Sequence, residues 1–403
     1  MKSKIACVFA ASLWMTAAAQ ANDQNVKIGV LTDLSSLYAD LGGPGSILAA
    51  QMAVEDSGLT KKGWTIDVVS GDHQNKPDIG VGIARKWYDE NKVDVIVDVP
   101  NSGVGLAIAG VAKEKNFVYM NSGAASSDLT GKACTPNTIH WTYDTYALAN
   151  GTGKAVVKAG GDSWFFLTAD YAFGHALQRD TSAVVEANGG KVVGSVNVPL
   201  NTPDFSSFLL QAQSSRAKII GLANAGGDTT NSIKQAHEFG VAAGGQKLAA
   251  LLLFISDVNA IGLDIAQGLQ FTETFYWDMN DGTRAFSKRF SDRMKNHAEP
   301  TMVQAGVYAS LLHYFKALEA LGGNPHDGAE VVGKMKELPT DDPLFGKGVI
   351  RVDGRTIHPA YLFEVKSPAE SKYPWDYYKL IATIPADEAF RPLSESQCPL
   401  VKK

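Results

Sequence analysis

The sequence predicts an α/β protein with two doubly wound parallel-sheet lobes. Short apolar runs rich in β-branched residues alternate with helical patterns, and this alternation is typical of a parallel sheet. Glycines such as Gly58 and Gly240 stand where helices are expected to end, because a left-handed terminal residue favours glycine. The apolar runs fall into two groups of four, before and after His140–Tyr143, so we expect two similar lobes.

Eight strands are expected from these runs. They are Val26–Leu31, Trp64–Val69, Val93–Val97, Phe117–Met120, Trp164–Leu167, Lys191–Val198, Lys218–Leu222 and Leu248–Phe254. Helical patterns such as Ile79–Glu90 and Ala176–Asn188 lie between them. The remainder from Tyr276 onward is too short for a third domain and is expected to complete the two lobes, with an irregular segment after Ser367.

The first strand–loop–helix unit indicates where a ligand would bind. Val26–Leu31 has the character of a buried parallel strand, and apolar residues return at helical spacing from Ile47. Between them, Thr32–Gly45 is a polar loop that is long for a βα connection. Loops at the carboxyl ends of strands line the ligand crevice of an open α/β sheet, so Tyr38 is a candidate contact. A solvated loop without a special role is the alternative.

Residues 1–21 have the pattern of a secretory signal. Two lysines precede an apolar core, and Ala19–Ala21 has the small-x-small form of a cleavage site. This apolar stretch is shorter than a typical membrane-spanning helix, so we expect cleavage after Ala21 and a soluble periplasmic protein. The formal net charge is −5 and no basic cluster stands out, which argues against a nucleic-acid partner.

The cysteine content predicts one disulfide. Cleavage would remove Cys7 and leave Cys134 and Cys398. Two cysteines in an oxidising compartment favour a bond between them, with two unpaired thiols as the alternative. Neither has a neighbouring Cys or His at metal-ligand spacing, so no metal site is expected.

Small polar residues beside glycines follow several predicted strands. Such loops let backbone N–H and hydroxyl groups approach an anion, and the helix N-terminus behind each loop adds a partial positive charge. Ser102 and Ser126 are expected to hold a carboxylate, with Asn101 in the same loop as Ser102. A plain helix N-cap is the alternative for each serine.

Aromatic and acidic residues lie at the same strand ends. A concave apolar pocket with a few placed polar groups is the usual small-molecule site, although aromatic residues of α/β proteins are often core. The aromatic candidates are Tyr38, Tyr171, Phe173 and Tyr276. Asp228 and Asp257 are candidates for a ligand ammonium or hydroxyl, with a solvated loop acid or a helix cap as the alternative.

Catalytic motifs are weak throughout the chain. Gly103-Val104-Gly105 is followed by Ile108 where a dinucleotide loop needs its third glycine. Ser102 lacks the flanking glycine of a nucleophile elbow. We therefore expect no enzymatic activity and no cofactor.

Taken together, the motifs resemble those of the branched-chain amino acid binding proteins, which are periplasmic solute receptors of ABC importers. The resemblance rests on Lys27–Asp56, Pro100–Ser102, Asn121–Ser126 and Asp170–Gly174, and it covers nearly the whole mature chain. Because many weak motifs occur in the order found in the family, the resemblance identifies the family but does not identify the ligand.

The resemblance implies a type I periplasmic binding fold, in which two lobes joined by three strand crossings close on the ligand. The crossings would lie near His140–Tyr143, Phe275–Asp278 and Gly354–Pro359. The implied division is lobe 1 at residues 26–142 and 276–355, lobe 2 at 143–275 and 356–395, and a C-terminal tail at 396–403.

The resemblance also implies roles for individual residues. Ser102, Ala124 and Ser126 match the first-lobe loops that hold the ligand carboxylate. Phe173 matches an aromatic contact from the second lobe, with Tyr171 nearby.

Some positions depart from the family pattern. Asp257 matches the acid that binds the α-ammonium of amino acids, where the family commonly has Glu. The family commonly has Tyr at Phe173, and Asn224–Asp228 lacks an aromatic often found there. Aromatic or other organic carboxylates therefore remain possible ligands beside hydrophobic amino acids.

The leading interpretation is a non-enzymatic, monomeric receptor that delivers a small carboxylate to an inner-membrane ABC permease complex. A ligand-sensing regulatory protein of the same fold is the alternative, and an exported hydrolase is a remote one.

Overall fold

The computed structural model describes residues 23–402. The strands in this range are β1 (Asn25–Thr32), β2 (Thr65–Asp72), β3 (Val95–Asp98), β4 (Val118–Asn121), β5 (Thr138–His140), β6 (Ser163–Ala169), β7 (Lys191–Val198), β8 (Ile219–Ala223), β9 (Lys247–Ala250), β10 (Gln270–Glu273), β11 (Thr340–Asp342), β12 (Gly346–Ile350), β13 (Thr356–Ile357), β14 (Ala360–Val365) and β15 (Tyr378–Ile384). The α-helices are α1 (Gly43–Ser57), α2 (Pro77–Asp89), α3 (Ser102–Lys115), α4 (Thr145–Leu148), α5 (Lys154–Lys158), α6 (Ala172–Ala187), α7 (Ser206–Ser214), α8 (Gly227–Glu238), α9 (Ile255–Ile261), α10 (Leu263–Ala266), α11 (Asp281–Ser291), α12 (Met302–Leu321), α13 (Gly328–Glu337) and α14 (Ala386–Ala389).

The first parallel sheet has the strand order β2-β1-β3-β4-β5. The four strands predicted before His140–Tyr143 are present, and β5 joins them as a fifth strand. The sequence analysis missed β5 because three residues are too few to show an apolar period. The strand order reverses between β1 and β3, so the sheet has a topological switch point there.

The second parallel sheet has the order β7-β6-β8-β9, with the same reversal between β6 and β8. The predicted strand Leu248–Phe254 is wrong in extent, because β9 ends at Ala250. Leu251–Phe254 is buried, which accounts for its apolar sequence. This segment lies outside the sheet and connects β9 to α9. The α/β fold with two parallel sheets is confirmed.

The rest of the chain adds two antiparallel sheets, β10-β14-β15 and β11-β12-β13. The prediction of an irregular segment after Ser367 is wrong, since β15 lies within this segment and pairs with β14. β15 is largely exposed, so it lacks the alternation of buried and exposed residues by which sequence reasoning finds a strand.

A fully buried arginine joins the segments that connect the two sheets. The Arg355 guanidinium donates hydrogen bonds to the backbone carbonyls of Thr142 and Thr356, and it lies 3.4 Å from a carboxylate oxygen of Asp144. It also lies 4.4 Å from the ring centre of Phe390. Residues distant in sequence are therefore held together by one charged group.

The predicted disulfide is present between Cys134 and Cys398, whose Cα atoms lie 5.6 Å apart. The bond ties the C-terminal end of the described chain to the segment before β5. Close to this end, the Arg391 backbone carbonyl accepts a hydrogen bond from Arg351 at 2.8 Å, and the Arg391 guanidinium lies 3.3 Å from Asp180 of α6.

Replacing Arg355 by methionine is expected to destabilise the fold by about 3–5 kcal/mol, because Asp144 would keep a buried charge without its cation. The double variant Arg355→Met/Asp144→Asn should recover part of this loss, since it removes both charges. Chemical denaturation of the two variants and of Asp144→Asn measures this coupling. Equal stability of the wild type and Arg355→Met would contradict the assignment.

Removing the disulfide with Cys134→Ser/Cys398→Ser is expected to lower the free energy of unfolding by about 2–5 kcal/mol, because the unfolded chain loses a long-range cross-link. A reductant should destabilise the wild type but not the variant. Alkylation of the denatured, unreduced protein followed by mass measurement tests the bond directly, and two labelled cysteines would show that it is absent.

Candidate ligand-binding site

A cleft lies where the carboxyl ends of the two parallel sheets face each other. Its lining residues are Tyr38, Leu41, Pro100, Ser102, Gly123, Ala125, Tyr143, Tyr171, Phe173, Ala225, Leu252 and Phe254. The enclosed volume is about 10 Å³, which is room for about one water molecule. The cleft is therefore closed in this structure.

The two topological switch points explain why these residues meet. Tyr38 follows β1 and Ser102 follows β3, on the two sides of the first switch point. Tyr171 follows β6 and Ala225 follows β8, on the two sides of the second. Ligands of open α/β sheets bind at such points, so the cleft is the candidate site.

Asp33 fixes the loop that carries Tyr38. Its carboxylate accepts hydrogen bonds from the backbone N–H groups of Ser36 and Tyr38, both at 2.9 Å, and from the Asn75 side chain at 2.7 Å. Burial opposes ionisation of Asp33, but the hydrogen bond from the Ser36 hydroxyl at 2.7 Å, together with those from Tyr38 N–H and Asn75, outweighs burial and holds its pKa below the usual value. Tyr38 thus reaches the cleft from an ordered loop.

Direct contacts between the two sides hold the cleft closed. The hydroxyl groups of Tyr38 and Tyr171 lie 2.5 Å apart. Within the first side, the Tyr143 hydroxyl, just after β5, donates to the Gly123 carbonyl after β4 at 2.9 Å. Gly227 N–H donates to the Leu37 carbonyl at 3.2 Å.

The serine loops are arranged around one shared hydrogen bond. The Ser102 hydroxyl oxygen accepts from the Ser126 N–H at 3.1 Å, so the hydroxyl proton stays available for a ligand in the cleft. Ser126 itself caps the 3₁₀ turn Ser127–Leu129 and does not line the cleft. Asn101 is the N-cap of α3 and accepts from Val104 N–H at 3.1 Å.

Ala124 is buried directly behind the cleft wall. Its N–H donates to the Asn121 side chain at 2.8 Å, and its carbonyl accepts from the same amide at 2.6 Å. Ala125, the next residue, lines the cleft instead. Both backbone groups of Ala124 are thus committed to Asn121.

Three further candidates lie outside the cleft lining. Asp228 accepts from the N–H groups of Asn201 and Thr202, both at 3.0 Å, and burial raises its pKa to about 6. Asp257 accepts from Phe254 N–H at 3.0 Å, and burial raises its pKa to about 7. Tyr276 is packed against Tyr378. The geometry gives none of the three a ligand contact in this closed form.

Sequence reasoning missed several lining residues. Tyr143 belongs to the predicted crossing His140–Tyr143, and Leu252 and Phe254 belong to a stretch that was predicted to be a strand. Leu41 and Ala225 carry no polar signal. In the sequence, only their position at strand ends indicates a site. That position does not distinguish a residue that lines the cleft from a residue of the core.

A buried carboxyl group supports the floor of the cleft. Asp98 lies so close to Gly42 and Gly123 that a Cβ at either glycine would come within 2.9 Å of a carboxylate oxygen. Burial raises the pKa of Asp98 to about 7. Burial therefore favours the protonated form of this carboxyl group in the folded protein.

Larger cavities lie elsewhere in the described chain. One of about 540 Å³ lies around Val26, Phe117 and His326, at the amino ends of the first sheet. One of about 480 Å³ lies around Lys218 and Lys247, at the amino ends of the second. Parallel sheets do not present their ligands at the amino ends, so size alone does not identify the site.

Comparisons with known proteins agree with this geometry. Residues 25–372 match the family described as "Periplasmic binding protein". The chain belongs to the periplasmic binding protein family. The Leu/Ile/Val-binding protein homolog 6 of Brucella abortus is 24% identical over 384 residues, which cover 93% of this chain and 95% of that protein.

Two crystal structures show the same relationship. A periplasmic binding protein from Burkholderia mallei has a TM-score of 0.91 and 52% identity over 94% of this chain and 100% of its own. A branched chain amino acid ABC transporter periplasmic ligand-binding protein from Burkholderia xenovorans has a TM-score of 0.82 and 40% identity over the same shares. The resemblance seen in the sequence is confirmed, and the fold is the type I periplasmic binding fold.

Family membership indicates a periplasmic location for this binding protein. Among residues 23–402, no helix has both the length and the apolar character needed to cross a membrane. The predicted cleavage after Ala21 lies outside the described residues.

The Asp98→Asn variant of the binding protein is expected to flatten the pH dependence of stability. Because the folded-state pKa of Asp98 is raised, its stabilising contribution is full below the unfolded pKa and is lost as pH rises through about 7. Relative to the wild type, the variant should gain up to about 4 kcal/mol at pH 8, about 2 kcal/mol at pH 5 and little at pH 3. Denaturation at several pH values measures this, and parallel profiles would contradict the assignment.

Proposed function

We propose that the protein binds a small aromatic or otherwise apolar carboxylate between its two lobes and delivers it to an inner-membrane ABC importer. The observation that carries the proposal is the composition of the cleft. Aromatic side chains from both sides meet there with the Ser102 hydroxyl, and none of the described lining residues is charged. Such a lining suits a flat apolar body with one polar end.

Helix N-termini supply the attraction for an anion. Helices α3, α6 and α9 begin at a residue that lines the cleft or directly follows a lining residue, and α8 begins two residues after Ala225, which lines the cleft. Their first N–H groups have no helical carbonyl partner, and the helix dipole adds partial positive charge. A carboxylate can therefore be held in the cleft without a lysine or arginine.

The cleft favours a ligand without an ammonium group. A buried ammonium needs an anionic partner, because leaving it unpaired in an apolar site is costly. Asp228 and Asp257 do not line the closed cleft, and backbone N–H groups already bind Asp228. Amino acids, which the names of the relatives suggest, are the second ligand class and would require one of these acids to turn inward.

We propose a division into two lobes, each built on one of the two parallel sheets. We assign residues 26–142 and 276–355 to lobe 1, residues 143–275 and 356–395 to lobe 2, and residues 396–403 to a tail. The strands of the first sheet lie within Asn25–His140 and those of the second within Ser163–Ala250, which supports the division.

A thermal-shift panel tests the ligand class. Benzoate and phenylacetate should raise the melting temperature, and leucine and benzamide should not, because binding stabilises the folded state by mass action. Small-angle scattering should show a smaller radius of gyration at saturation with the active acid. A response to leucine alone would reverse the choice between the two ligand classes, and an unchanged radius would contradict closure.

Ser102→Ala is expected to weaken carboxylate binding about ten- to a hundredfold, since a hydrogen bond to a charged group contributes about 1.5–3 kcal/mol. Calorimetry with the acid selected by the panel measures the change. Ser206→Ala, in α7 of the second half of the chain, is the matched control. Wild-type affinity in Ser102→Ala would remove Ser102 from the site.

A further inference from the structure

The carboxyl group of Asp98 lies directly beneath the floor of the cleft. Asp98 ends β3 and is fully buried. A Cβ at Gly123, which lines the cleft, would come within 2.9 Å of an Asp98 carboxylate oxygen and within 2.6 Å of the Pro100 Cα atom. Asp98 is therefore one layer beneath Gly123 and Pro100, in the part of the lining that also contains Ser102.

The surroundings of Asp98 do not compensate a negative charge. Its two carboxylate oxygens make no hydrogen bond of good geometry to a described residue. Burial raises the pKa of Asp98 to about 7, although the nearby hydroxyl groups of Thr32 and Ser46 favour the charged form. An ionised Asp98 is costly at this position, and a second negative charge in the cleft would add to that cost.

The other titratable groups around Asp98 keep their charge between pH 6 and 8. They are Asp33 after β1, His73 after β2, Tyr119 of β4, His140 of β5 and Tyr143 after β5. Asp33 acts on Asp98 as a negative charge, and its own pKa lies below the usual value. Burial lowers the pKa of both histidines and raises that of both tyrosines well above the usual value. The first turns of α1, α3 and α12 contain no charged residue.

We propose that the cleft takes up its carboxylate ligand together with one proton, which Asp98 binds. The inference rests on the proposed function, because it needs an anion at Ser102. The anion and an ionised Asp98 would lie on the two faces of one thin layer, where burial leaves little water to screen their repulsion. A proton from the solvent forms an O–H bond on the Asp98 carboxylate and removes this repulsion, while no other bond changes. Asp98 acts through its charge and needs no contact with the ligand.

The affinity for a carboxylate should therefore fall as the pH rises. The bound anion raises the pKa of Asp98, so the complex keeps the proton to a higher pH than the free protein does. Affinity is full below the pKa of the free protein and declines above it, by about five- to tenfold from pH 6 to pH 8. Free carboxylic acids ionise near about pH 4, so the charge of the ligand itself is constant over this range.

Calorimetry counts the proton directly. Benzoate, or phenylacetate if that acid raises the melting temperature instead, is titrated into the mature protein in phosphate and in Tris, whose heats of ionisation differ. At a pH of about 7.5 the difference in heat should correspond to uptake of about half a proton or more per ligand. Binding with equal heats in both buffers and equal affinity at pH 6 and pH 8 would overturn this inference and leave the proposed function intact. Failure of every acid to bind would refute the proposed function, and this inference with it.

The variant Asp98→Asn assigns the proton to this carboxyl group. Asparagine has nearly the same shape and tolerates the φ of +78° at this position, so the variant should fold. It should bind the acid without proton uptake and with equal affinity at pH 6 and pH 8. At pH 8 it should bind about five- to tenfold more tightly than the wild type, because the repulsion is absent.

Two further variants serve as controls. Asp264→Asn, at an exposed acid of α10, makes the same change of net charge and should behave as the wild type. Asp257→Asn removes a buried acid three residues after Phe254 of the cleft lining, whose pKa burial also raises to about 7. It should keep the proton uptake of the wild type. Uptake that persists in Asp98→Asn, or wild-type affinity of that variant at pH 8, would refute the assignment.

Discussion

The structure depends on one topological constraint, which is that both parallel sheets reverse their strand order beside their first strand. Parallel strands end at the same edge, so the loops on the two sides of each reversal separate and leave a crevice. The chain places the two crevices face to face, and Tyr38 and Ser102 meet Tyr171 and Phe173 there. Helices begin at this edge in both sheets, so their unpaired N–H groups point toward the same space.

The same topology keeps the cleft apart from the segments that connect the two sheets. Under the proposed function, backbone groups that need no particular side chain would recognise the carboxylate, which leaves the side chains free to set the shape of the cleft. The segments that join the sheets are held by other contacts, since Arg355 is buried there against Asp144 and the disulfide holds the end of the chain. Both features lie away from the cleft lining.

The sequence predicts what is local and misses what depends on packing. Apolar runs such as Val26–Leu31 reveal strands because burial on both faces demands continuous apolar residues. The three-residue β5 and the exposed β15 lack that signal. In the site, Tyr38 and Phe173 were recognisable from strand ends, but Phe254 resembles core and Asp228 resembles a ligand acid until its two backbone donors are seen.

The backbone before Ser102 shows how the site is formed at the cost of local strain. Asp98 and Val99 have φ of +78° and +58°, a conformation unfavourable for any side chain and especially for a β-branched one. Three hydrogen bonds hold it: Val99 N–H donates to the Leu31 carbonyl at 2.9 Å, and the N–H groups of Ser122 and Gly123 donate to the Asp98 carbonyl at 3.4 and 3.2 Å. These bonds join the end of β3 and the turn after it to β1 and to the loop after β4, so the strained turn that carries Ser102 into the cleft is fixed from both neighbouring strands. If Ser102 binds the carboxylate as proposed, a turn supported in this way holds its hydroxyl in place before the ligand arrives and lowers the ordering cost of binding.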